Sequence, residues 1–218
     1  MAPRVLARLA TALGRNDERP NVDLAIELAR TRDAGSIRSL VEALTEGARP
    51  VRHDAIKTLY EIGARAPELI ASELKVFVGL LEGKDNRMIW GAMCAIDAIA
   101  STDPTTVGNV LPKLEEAARI GSVITRDHYV RALVKLAREK GLRAGALARL
   151  IEELVTCPLN QLPMYAELSA SAVARTTDTR AVLSVIRKRL PRTPQPAKRR
   201  RLEKVISSLE KAKAVKPR

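Results

Sequence analysis

The stretch PVRHDAIKTLYEIG, residues 50–63, contains the apolar pattern that decides the fold. The same pattern returns twice at a spacing of 37 residues, in RMIWGAMCAIDAIA (87–100) and ITRDHYVRALVKLA (124–137). Leu59, for example, is matched by Ile96 and then by Leu133. A repeat of this length, built from two helices, is typical of an α-solenoid, in which each helix pair packs only on its neighbours.

The composition agrees with an all-α protein. Aromatic residues make up 2% of the chain and apolar residues 46%, so the core must consist of Leu, Ile, Val and Ala. These residues suit closely packed helices, whereas sheets favour aromatic and β-branched side chains. We therefore predict a right-handed α–α superhelix of about six antiparallel helix pairs. The predicted pairs are 3–14 with 20–32, 37–47 with 50–62, 67–82 with 87–101, a pair that opens at Asp103-Pro104 and turns at Gly121-Ser122, 143–156 with 161–175, and 179–190 with 197–213.

Capping residues indicate where several helices begin. Ser36 stands directly before an apolar stripe, and Thr125 stands at the start of a later second helix, so both are predicted N-caps. Asp103 followed by Pro104 predicts an N-cap and a first helical residue that needs no N–H donor.

The basic charge is concentrated at the carboxyl-terminal end. The net charge is +13, and residues 187–218 contain 13 Lys and Arg against two acids. The other 186 residues are nearly neutral, with 25 basic and 23 acidic side chains. We therefore divide the chain into a helical-repeat solenoid at 1–190 and a basic capping helix with a tail at 191–218.

The basic cluster is a candidate anion-binding region. Its residues are Arg187, Lys188, Arg189, Lys198, Arg199, Arg200 and Arg201. They could neutralise phosphates of nucleic acid irrespective of sequence, meet an anionic membrane surface or bind an acidic partner. A terminal repeat also needs a polar outer face for solubility, so a capping helix fits equally well. Residues 187–218 contain no aromatic residue, which disfavours recognition of bases by stacking.

Three second helices open with related short motifs. Val51-Arg52-His53-Asp54 is the clearest, and Asp85-Asn86-Arg87 and Thr125-Arg126-Asp127 are looser versions. In this respect the chain resembles the HEAT family of helical repeats, where a turn with Asp or Asn precedes a second helix that opens with Val-Arg or a similar pair. The resemblance covers about residues 20–190 and leaves the choice between HEAT and armadillo open. It implies a concave surface, lined by second helices, that binds proteins and sometimes nucleic acid.

We therefore expect a non-catalytic scaffold that binds a macromolecule, a protein in the first place. The predicted protein-binding residues on the second helices are Arg52, Lys57, Arg87, Trp90, Arg131 and Lys135. Trp90 is the single Trp of the chain, and Trp is enriched among residues that dominate binding energy. Sequence-independent nucleic-acid binding through the basic carboxyl-terminal region is the alternative.

A row of arginines adds a second interpretation of these helices. Arg52, Arg87 and Arg126 stand near the starts of three successive second helices. Such a row could hold phosphates or carboxylates beside helix N-termini. We favour instead a ladder in which the arginines pair with nearby aspartates and tie neighbouring repeats together. The aspartates are Asp54, Asp85 and Asp127.

Signatures of catalysis and of cofactor binding are absent from the sequence. It contains no P-loop, dinucleotide fingerprint, zinc-binding His-Glu pair or nucleophile elbow. His53 and His128 lack further ligands at metal-binding spacing, so we interpret both as exposed or capping residues. We expect no enzyme activity, no cofactor and no metal.

One enzymatic alternative is a HEAT-like alkylpurine DNA glycosylase. Trp90 and Asp97 are seven residues apart and share a helix face, and Arg126 or Arg131 could approach from the next unit. A pocket for a flipped base needs aromatic walls, and this chain has one Trp and a nearly neutral body. We therefore rank the glycosylase below both binding functions.

The remaining signals concern location. Cys94 and Cys157 lie in apolar stretches, which favours unpaired cysteines in a reducing compartment. No run of 18 apolar residues predicts a membrane span. Residues 1–15 combine three Arg with an apolar stripe, which fits a mitochondrial transit peptide or the first solenoid helix. We favour the helix and a cytoplasmic protein.

Overall fold

The computed structural model describes residues 4–174 and 176–214, and in this part of the chain it contains α-helices and 3₁₀ turns but no strand. Residues 1–3, Arg175 and 215–218 lie outside the described residues, and the last of these belong to the predicted capping helix and tail at 191–218. The helices are α1 Arg19–Thr31, α2 Ala34–Glu46, α3 Arg49–Gly63, α4 Leu74–Leu80, α5 Asn86–Ile99, α6 Pro104–Asn109, α7 Leu111–Ile120, α8 Val123–Leu136, α9 Arg143–Thr156, α10 Leu162–Val173, α11 Thr179–Arg189 and α12 Pro196–Ala214. The prediction of an all-α protein is confirmed.

The chain forms two compact units, Met1–Ala132 and Leu133–Arg218, whose boundary falls within α8. In the first unit, α3 packs on α1, α2 and α5, and α4 packs on α5. In the second unit, α10 packs on α9, α11 and α12, while α11 packs on α9 and α12. The handedness of the superhelix, the number of pairs and the division at residue 190 stay predictions.

The repeated apolar positions form the core of each unit. Leu59, Ile96 and Leu133, the residues matched at a spacing of 37, are all fully buried. Glycine allows α3 and α5 to approach closely: a Cβ added at Gly91 would lie 2.7 Å from Cγ1 of Ile56. The sequence repeat therefore corresponds to the buried face of the second helices.

The predicted first helix at 3–14 is wrong. Among the described residues 4–14, only Leu6–Arg8 is helical, as a 3₁₀ turn, although Leu9 and Ala10 are buried as expected. The reason is that side chains take the backbone donors that a helix would use. The N–H of Ala10 donates to Oδ1 of Asn21 (2.9 Å), and that of Thr11 donates to Oδ2 of Asp54 (2.7 Å).

Two other predicted first helices are interrupted. Residues 67–82 contain two 3₁₀ turns and then only α4. The helix predicted from Pro104 breaks at Val110 into α6 and α7. Pro112 accounts for this break, because it has no N–H and its ring would clash with the carbonyl of Gly108 in a continuous helix.

The capping predictions have a mixed outcome. Asp103 is confirmed as an N-cap and accepts the N–H of Thr106 at 3.1 Å. Ser36 is wrong, because Asp33 is the N-cap of α2 and accepts the Ser36 N–H at 3.0 Å. Thr125 is also wrong: α8 begins at Val123, and the buried Thr125 donates its N–H to Oγ of Ser122 (3.3 Å). In the described residues, no helix combines the length and the apolar content needed to cross a lipid bilayer.

Candidate binding surface on helices α3 and α5

Two neighbouring helices present polar and aromatic side chains on one side. On α3, Tyr60 and Glu61 lie three and four residues after Lys57, and on α5, Trp90 lies three residues after Arg87, so each set shares a helix face. Four of these five side chains are half-buried, and Lys57 is nearly covered. We call Lys57, Tyr60, Arg87 and Trp90 the Trp90 surface.

An aromatic pair forms the centre of the Trp90 surface. The ring centroids of Tyr60 and Trp90 are 5.6 Å apart and the rings are inclined by 53°. Tilted pairs at this separation are favourable because the edge of one ring meets the face of the other. Nζ of Lys57 lies 4.8 Å from the centroid of the Tyr60 ring, within the range of a cation–π contact. The Tyr60 ring therefore lies between Lys57 and Trp90 and contacts both.

A chain of ion pairs surrounds the rings. Lys57 Nζ lies 2.8 Å from Oε1 of Glu61 and 3.1 Å from Oε2 of Glu18. The other oxygen of Glu18, Oε1, accepts a hydrogen bond from Nη2 of Arg87 at 2.6 Å. Burial lowers the pKa of Lys57, but hydrogen bonds to Glu61, Tyr60 and Glu18 outweigh it and raise this pKa above its ordinary value. Lys57 is thus a cation throughout the physiological pH range.

Cys94 lies one turn beyond Trp90 on the same face. Burial is the main cause that raises the pKa of its thiol to about 12, and the charge of Arg131 opposes the rise. The thiol is therefore protonated near neutral pH and is a poor nucleophile. Both cysteines are unpaired, as predicted from the sequence.

Two histidines join successive second helices through carboxylates. His53 on α3 lies with Nε2 2.8 Å from Oδ2 of Asp85, the N-cap of α5. His128 on α8 lies with Nδ1 2.8 Å from Oδ2 of Asp97 on α5. The prediction of exposed or capping histidines missed this pairing, although an acid in the turn before a second helix was the available signal. Within the described ranges, no group of three potential metal ligands is found.

Asp85 is the most strongly bonded of these carboxylates. Burial raises the pKa of Asp85, but hydrogen bonds from His53 and Arg49 outweigh burial, and the pKa falls to about 2. Nε of Arg49 donates to Asp85 at 3.0 Å, and the backbone N–H of Arg87 donates to the same carboxylate at 3.0 Å. Side-chain bonds to an aspartate therefore link α3 to the start of α5. Arg49 and His53 form these bonds with Asp85 instead of the predicted Arg52.

The predicted protein-binding residues fall into two groups. The Trp90 surface contains Lys57, Arg87 and Trp90, and the exposed Arg131 is close enough to influence the thiol of Cys94. Arg52 lies about 140° around the helix from Lys57, and its buried Nε has no hydrogen-bond partner. Lys135 lies in the second unit. Tyr60, Glu61 and Glu18 were missed, although Tyr60 and Glu61 could have been found from their helical spacing to Lys57.

Two arginines of the basic cluster bond backbone carbonyl groups within the second unit. Arg189 donates to the carbonyl oxygens of Leu154 (2.7 Å) and Cys157 (2.6 Å), and so caps the end of α9. Arg199 donates to the carbonyls of Thr193 (2.5 Å) and Pro191 (3.1 Å). These contacts are structural, because they satisfy carbonyl groups that have no partner within a helix.

The other five residues of the cluster are exposed, except for the half-buried Lys198. Three of them have side-chain partners: Arg187 with Glu210, Arg201 with Glu167, and Lys198 with Asn160. Lys188 and Arg200 are exposed and have no side-chain partner among the described residues. The free basic charge is therefore smaller than the sequence suggests.

Two further sites are Asp97 on α5 and a concavity beside α4 and α7. Asp97, the predicted acid of a glycosylase, is 7% exposed and is bonded to His128. A separate concavity of about 310 Å³ lies beside α4 and α7 and is lined mainly by apolar side chains such as Leu81, Pro112 and Ile120. None of the eight residues that line this concavity is aromatic.

Comparisons with known proteins identify the fold. No protein-family model and no curated protein sequence matches the chain. A designed armadillo repeat protein in complex with the peptide (KR)4 matches 97% of this chain and 99% of its own, with 18% identity and a TM-score of 0.67. The fold is an armadillo/HEAT-like helical repeat.

Two other solved structures agree with this fold. An engineered protein has 20% identity and a TM-score of 0.62 over 95% of this chain and 96% of its own. The archaeal HEAT-like repeats protein from Thermococcus onnurineus NA1 has 15% identity and a TM-score of 0.53 over 90% of this chain and 98% of its own. At these identities the likeness concerns the armadillo/HEAT-like repeat itself.

Proposed function

We propose that this armadillo/HEAT-like repeat is a non-catalytic scaffold that binds a protein through an extended segment lying on the Trp90 surface. The observation that carries the proposal is the half-buried Tyr60–Trp90 pair, fixed by Lys57 and surrounded by ion pairs. Large aromatic side chains with restricted motion lose little conformational entropy when a partner covers them. They therefore supply binding energy more effectively than the mobile side chains around them.

The surroundings of the rings support the same function. Charged residues that encircle an aromatic anchor exclude water from it once a partner is bound. Glu61 and Arg87 stand in such positions on α3 and α5, and Arg131 of α8 is close enough to Cys94, one turn from Trp90, to lower the pKa of its thiol. The designed armadillo repeat protein with the peptide (KR)4 is a precedent for peptide binding by a similar fold, and that peptide belongs to the designed protein alone.

The single Trp makes the proposal directly measurable. Peptides selected from a random display library on the wild-type protein are titrated while the emission of Trp90 is recorded. We expect a saturable change in emission. Because Trp90→Ala removes this reporter, its affinity is compared with that of the wild type by isothermal titration calorimetry. We expect the variant to bind at least about ten-fold more weakly, because truncation of a central anchor commonly costs about 2 kcal/mol or more.

Ile120→Ala is the matched control, since it also removes an exposed apolar side chain but lies on the separate concavity beside α4 and α7. It should bind the selected peptides like the wild type. Thermal unfolding of each variant establishes that the fold is retained. Equal peptide affinity of the wild type and Trp90→Ala would exclude this surface as the binding site.

A second candidate function rests on one face of α12. Arg200, Lys204 and Lys211 are exposed and share a face through steps of four and seven residues. None of the three has a side-chain partner within the described residues. A basic strip of this kind supports sequence-independent binding of nucleic acid.

A further inference from the structure

Glu18 connects the two cations of the Trp90 surface although it belongs to neither of their helices. It lies in the loop that precedes α1, after Gly14 at a φ of 67°. Its two carboxylate oxygens bond different partners, Oε2 with Lys57 at 3.1 Å and Oε1 with Arg87 at 2.6 Å. Lys57 and Arg87 therefore converge on one carboxylate group from two helices.

The three side chains differ in how easily they can change partners. Glu18 is 45% exposed, and exposed ion pairs in water contribute little to stability. Lys57 is only 10% exposed, and a cation this far from water needs a carboxylate nearby. Lys57 keeps Glu61 when Glu18 leaves, whereas Arg87 loses its ion pair with Glu18. A second carboxylate that replaces Glu18 therefore keeps both cations paired.

Loss of Glu18 makes the net charge of the surface more positive by one. Without it, Lys57, Arg87 and Arg131 face the single negative charge of Glu61. Asp97 adds a second negative charge near this group, since it raises the pKa of the Cys94 thiol more than Arg131 lowers it, but the three cations still outnumber the two acids. A partner that supplies a carboxylate is complementary to this surface, and a partner that supplies an ammonium or guanidinium group is not.

We propose that Lys57 and Arg87 form a carboxylate-binding site that Glu18 occupies in the free protein and that an acidic side chain of a partner peptide takes over. A residue next to that acid in the peptide packs on Trp90. This rests on the proposed function and adds the chemical class of the partner: an acidic peptide segment. Glu18 then acts as an internal competitor that lowers the affinity for partners without a well-placed acid.

The experiment uses three peptides of identical length that carry Glu, Gln or Lys at every second position and Leu between them. Binding to the full chain is followed by Trp90 emission. We expect the Glu peptide to bind about ten-fold more tightly than the Gln peptide, since two charge-assisted bonds depend on the carboxylate. The Lys peptide should bind most weakly.

Two variants test the role of Glu18 as the internal competitor and the role of Arg87 as part of the carboxylate-binding site. Glu18→Gln should tighten binding of the Glu peptide by about five-fold, because the site no longer has to release a bound carboxylate. Arg87→Gln should weaken binding of the Glu peptide by about ten-fold and leave the Gln peptide unchanged. Glu27→Gln is the matched control: Glu27 is equally exposed, at 45%, and is paired with Arg8 at 2.7 Å on the same unit.

The outcomes distinguish this proposal from the function on which it rests. An unchanged or weakened affinity of Glu18→Gln for the Glu peptide, with its fold retained in thermal unfolding, overturns the carboxylate site. A Lys peptide that binds more tightly than the Glu peptide does the same. If display selection yields peptides that need Trp90 but show no preference for acids, only the carboxylate site is wrong. If no peptide binds at all, the proposed function is wrong as well.

Discussion

Asp85 shows how one side chain can link two repeats and make the link depend on pH. Its pKa of about 2 lies below the ordinary value of 3.8 because hydrogen bonds from His53 and Arg49 outweigh the effect of burial. A carboxyl group whose pKa is lower in the folded state stabilises the fold above its unfolded-state pKa. This contribution is lost as the pH falls from about 4 to about 2.

Asp85→Asn should remove that part of the acid sensitivity. We expect the free energy of unfolding of the wild type to fall by about 2 kcal/mol more than that of the variant between pH 4 and pH 2, measured by urea unfolding. Asparagine keeps an oxygen that can accept the Arg87 N–H, so the N-cap of α5 is retained. Parallel pH profiles of the two proteins would contradict the role assigned to Asp85.

Single residues also show what the sequence can and cannot predict. Lys57, Arg87 and Trp90 were predicted because the repeat places them on second helices, and the structure brings them together. Glu18 could not be predicted, since it approaches from a loop outside the repeat pattern and 69 residues from Arg87. Arg52 was predicted as part of this group but lies on another side of α3, because the motif identifies the helix start and not the direction of the side chain.

At the scale of elements, the helices built around the 37-residue repeat were predicted better than those between them. The buried stripes of α3 and α5 follow the apolar pattern closely. The segments at 3–14, 67–82 and 104–118 are shorter or broken, because proline and side chains that bond the backbone act over only a few residues. The apolar pattern therefore predicts the buried face even where a helix is interrupted, but it does not predict where a helix begins or ends.

The close approach of α3 and α5 gives an element-scale prediction. Gly91→Ala should destabilise the protein by about 1–3 kcal/mol, because its Cβ would lie 2.7 Å from Cγ1 of Ile56 in a packed interface. Gly79→Ala on α4 is the matched control, since nothing lies within 4 Å of the added Cβ. Alanine favours a helix over glycine, so the control should stabilise the protein by up to about 1 kcal/mol.

Urea unfolding of both variants measures the difference. A stabilised Gly91→Ala would mean that helix propensity outweighs the crowding between α3 and α5. The emission of Trp90, which lies next to Gly91 in the chain, reports whether the Trp90 surface is altered in the variant.

At the scale of the whole molecule, the distribution of charge separates the two candidate functions. Five of the seven residues of the basic cluster are bonded within the second unit, so Lys188 and Arg200 are the members of the cluster left for phosphates. Three contacts from Arg200, Lys204 and Lys211 would give a slope of about −3 for log affinity against log salt on duplex DNA. Replacing these three with Gln should abolish retention of the protein on DNA at about 50 mM salt.

Lys75→Gln is the control for this test, because it removes an exposed basic charge from α4 in the other unit. It should leave the salt slope unchanged. If the wild type is not retained on duplex or single-stranded nucleic acid at low salt, the second candidate function is wrong.

Photo-crosslinking of a selected peptide locates the bound partner on the molecule. The peptide carries a benzophenone group, and cross-linked residues are mapped by mass spectrometry. We expect cross-links within Arg49–Gly63 and Asn86–Ile99, centred on Tyr60 and Trp90, and their loss in Trp90→Ala. Cross-links confined to α12, or to the concavity beside α4 and α7, would contradict binding at the Trp90 surface.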